Sequence, residues 1–370
     1  RRRRSGGRRT PGQRVNAFLE AADEAEAVER LHALECTDGL PVIVPTPERV
    51  ARMVLASGQD ADMVLGIMGP GQGTATIEKV AVAAVMAGCL PDHFPVVVAS
   101  VQAVLDPAFD LTEMQATTHC TAPLIIVSGP ARIDCGPVAC GFGALGPGHR
   151  ANACIGRALR LAMINIGGGR PGSSDMALLG HPGKFSYCLG EDETSSPFPP
   201  LHTCFGLEAE DSAVTVIGAE APHSVIFSAG GDAAADEDAL LNALAAGLAS
   251  RASNNATLTG GQAVVVLNPD HAQLLAARGR SRADLQRALH ERCRWTRAEL
   301  RAVAPGLVPP GDDDDLREAF SAPEDILVTV AGGSGLYSMV MPTWCAGPHR
   351  NRAVCRRIET DVFCELPGLA

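Results

Sequence analysis

Short apolar runs, glycine-rich turns and helical segments follow one another repeatedly along this chain of 370 residues. In the first unit, an apolar run at 63–68 leads into a glycine-rich turn at 69–74. A segment with helical spacing of its apolar residues follows at 77–87. The same order returns with a strand at 224–228 and a helix at 238–249. Such alternation is typical of α/β proteins, and we predict an α/β fold with pseudo-repeated strand–glycine turn–helix units.

A long irregular stretch at 170–200 separates the two units, with almost no periodicity and much Gly, Ser and Pro. Irregular stretches of this length in compact proteins are more often functional than idle, and we expect part of a site here. The other predicted strands are 95–99, 124–127, 263–267 and 326–331, and the other predicted helices are 15–34, 45–57, 101–105, 153–166 and 272–277.

Charge is spread unevenly along the chain. The first 14 residues contain seven Arg and no acid, and the remainder has 24 basic and 42 acidic residues, or a net charge of −18. So acidic a body excludes a nucleic-acid binder that needs a basic face. We predict a basic disordered head at 1–14 and an α/β body at 15–370, divided into lobes at 15–150 and 151–370. No apolar run reaches the roughly 18 residues of a membrane span, so no membrane role is expected.

The twelve cysteines are scattered and form no CxxC pair. This pattern favours free thiols in a reducing compartment over a disulfide framework or a paired zinc signature. We therefore expect a cytoplasmic protein, or an organellar one if the Arg-rich, acid-poor head is the remnant of a transit peptide.

Lysine is rare: 29 of the 31 basic residues are Arg, and the two lysines are Lys79 and Lys184. Where only positive charge is needed, a bias toward Arg replaces Lys. A retained Lys is then a candidate for chemistry that needs an ammonium, which unlike guanidinium can lose its proton or attack a carbonyl. The alternative is a solvated surface lysine.

The densest set of reactive residue types lies at 180–188, followed by Glu191 and Glu193. Lys184 and Cys188 share a face there, on a helical turn or on a strand. An ammonium beside a thiol lowers its pKa and makes it a nucleophile. We predict that Lys184 activates Cys188 or is itself a base, and that Lys184→Arg abolishes activity without loss of the fold. The alternative is a surface turn with a core cysteine.

Histidines stand next to several predicted strands. His119 precedes the strand at 124–127 and is a candidate acid/base, metal ligand or structural histidine. His202, His223 and His271 are candidates for a site with a divalent metal assembled from several loops. Residues beyond strand ends are where α/β proteins place ligands, although no HExxH or cysteine-pair signature demands a metal.

Two further features are candidates for binding an anionic substrate. The turn at 69–74 stands between a strand and a helix, so the amides of Gly71, Gly73 and Thr74 would cradle a carboxylate or phosphate, or simply form a tight turn. Arg150 and Asn152 head a predicted helix and would hold a substrate carboxylate, with Asn152 alternatively a helix N-cap.

Five runs of the chain together resemble a known family, at residues 78–89, 116–119, 150–153, 183–188 and 253–256. They are similar to a mostly uncharacterised family of long bacterial proteins. Members of that family accompany, or are fused to, short thioredoxin-like UGSC-family (seleno)proteins. The resemblance covers about residues 45–357 and omits the basic head.

The resemblance implies a thiol- or selenol-linked process with a separate thioredoxin-like partner, because this chain has no UGSC or CGSC motif of its own. It also places a set of residues within motif positions, namely Lys79, His119, Asn152, Lys184, Cys188 and His271.

Three hypotheses follow. The leading one is an enzyme that acts on a small anionic or sulfur-containing molecule through a lysine-activated thiol or a lysine base. The second is an enzyme that binds a metal through His and Cys side chains. The third is a non-catalytic subunit that docks a thioredoxin-like redox protein.

Overall fold

A computed structural model describes residues 19–359, so the head predicted at 1–14 lies outside the described residues. The helices are α1 (Glu24–Ala33), α2 (Pro47–Leu55), α3 (Ile77–Ala87), α4 (Phe94–Leu105), α5 (Leu111–Ala116), α6 (Ala131–Asp134), α7 (Arg150–Asn165), α8 (Ala233–Leu248), α9 (Asn254–Leu258), α10 (Pro269–Ala277), α11 (Arg282–Arg292) and α12 (Arg297–Arg301).

The strands alternate with these helices, which confirms the predicted α/β class. They are β1 (Val64–Met68), β2 (Gly73–Thr76), β3 (Ala122–Ser128), β4 (Cys188–Gly190), β5 (Ala213–Ala219), β6 (His223–Ile226), β7 (Ala263–Leu267), β8 (Arg294–Thr296), β9 (Leu316–Glu318), β10 (Ile326–Val330), β11 (Tyr337–Pro342) and β12 (Val354–Arg357).

Two four-stranded sheets form the centre of the described structure. One has the order β12-β5-β3-β4 and the other β10-β7-β11-β6. In each sheet one edge strand is parallel to its neighbour, β4 to β3 and β10 to β7, and the remaining pairs are antiparallel. The hairpins β1-β2 and β8-β9 lie outside these sheets.

The two sheets pack face to face between two layers of helices. Leu124 and Ile126 of β3 belong to the same core cluster as Val264 of β7 and Met341 of β11. The intervening residue Ile125 belongs instead to the core formed with α3, α4 and α7. Because successive strand residues point to opposite faces, β3 is buried on both sides and the layers run helix–sheet–sheet–helix.

Helix α3 shows how local sequence signals set the boundaries of an element. The side chain of Thr76 accepts a hydrogen bond from the Lys79 amide, and Gly88 ends the helix with φ 87°. A Ser or Thr N-cap and a left-handed glycine at the C-terminal end are the usual signals for helix termini. They place α3 at the predicted residues.

The strand predicted at 95–99 is wrong: these residues belong to α4, which also includes the helix predicted at 101–105. Nearly every side chain of α4 is buried, so the run has no polar face to reveal a helical period. A short apolar run rich in Val cannot be assigned to helix or strand from periodicity alone. Pro95, in the first turn, is compatible with a helix because that turn needs no backbone donor there.

The structure does not divide at 150/151, where two lobes were predicted. Residue 150 begins α7, which packs against α3 in the same layer. The second sheet takes its strands from within 223–342, and β12 returns the chain to the first sheet. The predicted pseudo-repeat stays a prediction.

Within residues 19–359, no single helix is both long and apolar enough to cross a bilayer. The pair Pro91–Leu105 and Pro107–Ala116 satisfies the length and composition criteria only when taken together, across a bend of 73°.

Candidate active site

Lys184 forms an ion pair inside the irregular segment. Its Nζ lies 2.6 and 2.7 Å from the two carboxylate oxygens of Asp175, and Nη1 of Arg160 lies 3.4 Å from the same carboxylate. Asp175 is buried, and only 17% of the Lys184 side chain is exposed. Burial lowers the pKa of Lys184 below its usual value, while the hydrogen bonds to Asp175 act in the opposite direction. The lysine is therefore held in place by a specific partner.

Cys120 lies beside this ion pair. The backbone N–H of Gly180 donates to its Sγ at 3.2 Å, and Cys120 is within electrostatic reach of the Lys184 ammonium. Gly180 has φ +74°, and a Cβ there would lie 3.2 Å from Cδ of Lys184. The glycine thus allows the loop to pass close to both side chains. A half-exposed thiol beside an ammonium and an amide donor fits a reactive cysteine.

His119 forms a second polar pair at the same end of β3. Its Nε2 lies 2.8 Å from Oε1 of Glu220, and the amide nitrogen of Asn254 donates to its Nδ1 at 3.0 Å. With Nδ1 accepting, Nε2 carries the proton and donates to Glu220. Both ring nitrogens are thereby engaged, and the imidazole orients the Glu220 carboxylate.

His181 connects the two pairs. Its ring packs edge-on against Tyr187 with centroids 5.6 Å apart, and the Tyr187 hydroxyl donates to the Glu220 carbonyl at 2.9 Å. Burial lowers the pKa of His181, with Lys184 adding to the effect and Glu220 opposing it. We call this set of side chains the lysine–histidine cluster; it comprises His119, Cys120, Asp175, His181, Lys184 and Glu220.

Cys188 does not belong to this cluster. It is buried in the core between the first sheet and its helices, where burial raises the pKa of its thiol far above the usual value. A buried neutral thiol is not a nucleophile. The expected activation of Cys188 by Lys184 does not fit this structure. Lys184 ends a short helical turn and Cys188 begins β4, so the two residues do not share one helical face.

Lys79 lies away from Lys184 on the surface at the start of α3. Its Nζ donates to the backbone carbonyl of Thr74 at 2.7 Å. This contact fastens β2 to the helix and gives Lys79 a structural role in place of the predicted catalytic one.

The predicted anion cradle is a hairpin turn between β1 and β2, not a strand-to-helix loop. The Gly71 N–H donates to the carbonyl of Gly167, so that amide faces a backbone oxygen. Cβ atoms at Gly71 and Gly73 would lie 2.9 and 2.0 Å from backbone oxygens after α7. These glycines, and Thr74 which follows them in β2, are explained by close packing.

Arg150 and Asn152 also have structural partners. The Arg150 guanidinium donates to the carbonyl of Gly88, at the end of α3. Asn152 is buried; its Oδ1 accepts from the Ala139 amide and its Nδ2 donates to carbonyls that include that of Cys188. The predicted carboxylate-binding role is not supported for Asn152. Arg150 lines a cavity of about 250 Å³ with Arg49 and Arg52, remote from the lysine–histidine cluster.

The histidines proposed as metal ligands do not meet in one place. His223 is exposed at the start of β6, and His271 is buried with its Nδ1 2.7 Å from the Ser338 hydroxyl. Among the described residues, only His202 of the three joins a group of side chains that could hold a metal ion.

Asp175, the partner of Lys184, was not a candidate from the sequence. It lies in the segment already expected to be functional, but it precedes Lys184 by nine positions of irregular chain, so no periodicity could pair them. The signal that was present is the scarcity of lysine, which singled out Lys184 itself.

A comparison with models of known protein families finds no match, and no curated protein is significantly similar to this chain.

Proposed function

We propose that this chain is an enzyme that acts on a small anionic or sulfur-containing molecule, with Cys120 as the thiol and Lys184 as its activating cation. The observation that supports this most directly is that the half-exposed Cys120 accepts from the Gly180 N–H and lies within electrostatic reach of the Lys184 ammonium. Reactive cysteines lie in electropositive, partly exposed surroundings of this kind, and their thiolate is the nucleophile.

Lys184 would also recognise the substrate. An ammonium has three N–H donors, and two of them point at the oxygens of Asp175. Within residues 19–359 the third has no acceptor, and it would donate to a carboxylate or phosphate on the bound molecule. Arg160 supplies further positive charge from inside the fold, and an anionic substrate is thereby favoured over a neutral one.

The chemistry that fits is attack of the Cys120 thiolate on a disulfide. The thiolate forms a new S–S bond with one sulfur, the original S–S bond breaks, and the other sulfur leaves as a thiolate that takes up a proton. Glu220, whose carboxylate is oriented by His119, is the nearby group that would hold that proton.

The test is the rate at which oxidised glutathione, a small anionic disulfide, forms a mixed disulfide at each cysteine, read by peptide mass spectrometry at pH 7. We expect Cys120 to react faster than the exposed Cys204. Lys184→Gln should slow the reaction at Cys120 by about tenfold or more, and the control Lys79→Gln should not change it. Equal rates at Cys120 and Cys204, or no effect of Lys184→Gln, would show that the proposal is wrong.

A second candidate is docking of a separate thioredoxin-like protein, as the family resemblance implies. The observation in its favour is the exposure of Leu178 and Leu179, 78% and 94%, directly before Gly180. An apolar surface beside a reactive thiol would suit a protein partner. The test starts from protein in which Cys120 carries a mixed disulfide with glutathione. The thiolate of a thioredoxin that lacks its resolving cysteine should attack the Cys120 sulfur, release glutathione as a thiolate and remain joined to Cys120 as a trapped disulfide; Leu179→Ser should reduce the yield.

A further inference from the structure

Three side chains with metal-ligating atoms meet beyond the carboxyl end of β4. They belong to Glu191, Glu193 and His202, and their ligand atoms lie within 4.8 Å of one another. Cys120 lies before the first residue of β3, whereas Glu191 and Glu193 lie after the last residue of β4, which runs parallel to β3. The group therefore lies at the opposite end of the sheet from the lysine–histidine cluster, about 20 Å away by the rise of a seven-residue strand.

His202 is oriented as a metal-binding histidine would be. The ring is fully buried, and Nε2 lies 2.8 Å from the carbonyl oxygen of Glu208. Since a carbonyl can only accept, Nε2 carries the proton and Nδ1 keeps its lone pair. Nδ1 has no hydrogen-bond partner among the described residues. Histidines that bind metals usually donate their other N–H to a carbonyl or carboxylate in this way.

The two carboxylate oxygens of Glu191 differ in their hydrogen bonding. Oε2 accepts from the Ser128 hydroxyl at 2.7 Å and from the Leu201 amide at 2.8 Å. Oε1 is buried and no described group lies in full hydrogen-bond geometry with it, although the Thr329 hydroxyl, which is buried and likewise unpaired, neighbours this carboxylate. Nη2 of Arg282 lies 3.7 Å away, beyond hydrogen-bond distance, and the Arg282 donors reach backbone carbonyls such as that of Val328.

Nδ1 of His202, a buried acceptor without a donor, is therefore close to the carboxylates of Glu191 and Glu193. Buried polar atoms in native proteins are nearly always satisfied, so this arrangement indicates a missing electrophile. A cation bound by these three side chains would supply that missing partner.

We propose that Glu191, Glu193 and His202 bind one divalent first-row metal ion. An imidazole nitrogen disfavours Mg²⁺ and Ca²⁺, which take oxygen ligands, and the absence of a thiolate among the three donors disfavours Cu⁺. Two carboxylates with one imidazole suit Zn²⁺ or Mn²⁺. The Glu191 amide donates to Val127 of β3, and the Asp192 amide donates to Val330 of β10. A metal here would fasten the segment that joins the two sheets.

The experiment uses the full chain, stripped with EDTA and titrated with ZnCl₂ or MnCl₂ by calorimetry, with metal content of the untreated protein read by mass spectrometry. We expect one equivalent of one of these ions and a higher Tm on binding. Glu193→Gln and His202→Gln should weaken binding on the order of 100-fold. His290→Gln is the matched control, because His290 also bonds to a backbone carbonyl, that of Phe320, outside this group.

Absence of stoichiometric binding of both ions to the stripped protein would overturn the proposal. Binding that is unchanged in Glu193→Gln would also overturn it, by showing an adventitious ion. Should His202→Gln fail to fold, the half-buried Glu193 decides the matter, since Glu193→Gln keeps the shape of the side chain and removes only its charge.

Discussion

The Nζ atom of Lys184 lies between the two carboxylate oxygens of Asp175, 2.6 and 2.7 Å from them, in a place where both side chains are largely shielded from water. Arg160 approaches the same carboxylate from the core. One carboxylate thus holds two cations at the edge of the sheet, and its own charge is neutralised only while they stay in place.

Lys184→Ala is expected to lower the free energy of unfolding by about 1–3 kcal/mol, because Asp175 would keep only two long contacts, to Nη1 of Arg160 and to the Ala177 N–H, both at 3.4 Å. Lys79→Ala removes one exposed hydrogen bond and should cost less than about 1 kcal/mol. Urea denaturation of the two variants beside the wild type measures the difference. Equal losses of unfolding free energy in the two variants would mean that the ion pair between Lys184 and Asp175 stabilises the fold no more than the exposed Lys79 hydrogen bond does.

Thiol reactivity should separate Cys120 from Cys188. Cys120 is half-exposed, whereas Cys188 is 3% exposed and its pKa is raised by burial. Because an alkylating reagent reaches Cys188 only after local opening, we expect iodoacetamide to modify Cys120 on the order of 100-fold faster at pH 7. Peptide mapping over time gives both rates. Comparable rates would contradict this placement of the two thiols.

Much of the fold could be predicted because its signals are local. Thr76 and Gly88 mark the ends of α3, and the apolar strands β7 and β10 stand between turn residues. Helix α4 could not be predicted, because burial on all sides removes the polar face that a periodicity argument needs.

Of the site, the sequence could predict only a residue that stands out by its own type, without reference to a partner. Lys184 stood out by its rarity, but its partner Asp175 is set by the path of an irregular loop, which no spacing rule describes. Asn152 and Gly73 look like binding residues in sequence, yet their partners are backbone groups brought near by tertiary packing. The type of a polar residue therefore did not reveal whether it faces a ligand or another segment of the chain.

Acid should destabilise the protein partly through His93. Burial, with a contribution from the Arg150 charge, lowers the pKa of His93 to about 4, and its Nδ1 accepts from the Leu90 amide. In the unfolded chain the pKa of this histidine is near 6.5. Between pH 6.5 and 4 the histidine is therefore protonated in the unfolded chain but neutral in the folded chain. Stability is complete above pH 6.5 and falls as the pH drops toward 4.

The measurement for His93 is urea denaturation at pH 7 and pH 4.5 of the wild type and His93→Gln, whose amide oxygen can still accept from Leu90. Between these pH values the wild type should lose about 2 kcal/mol more than the variant. Parallel losses in the two proteins would show that His93 is not held neutral by burial.

Gly73→Ala should be strongly destabilising, by about 3 kcal/mol or more. A Cβ at this position would lie 2.0 Å from the carbonyl oxygen of Ile166 at the end of α7, and backbone atoms on both sides cannot move away cheaply. Gly306→Ala is the matched control, because a Cβ there meets nothing within 4 Å; it should change stability by less than about 0.5 kcal/mol. Thermal and urea unfolding of both variants measure the difference in stability. A packed hairpin predicts that Gly73→Ala is much less stable than Gly306→Ala. Equal stability of the two variants would instead indicate a mobile turn at 69–74 that could bind an anion.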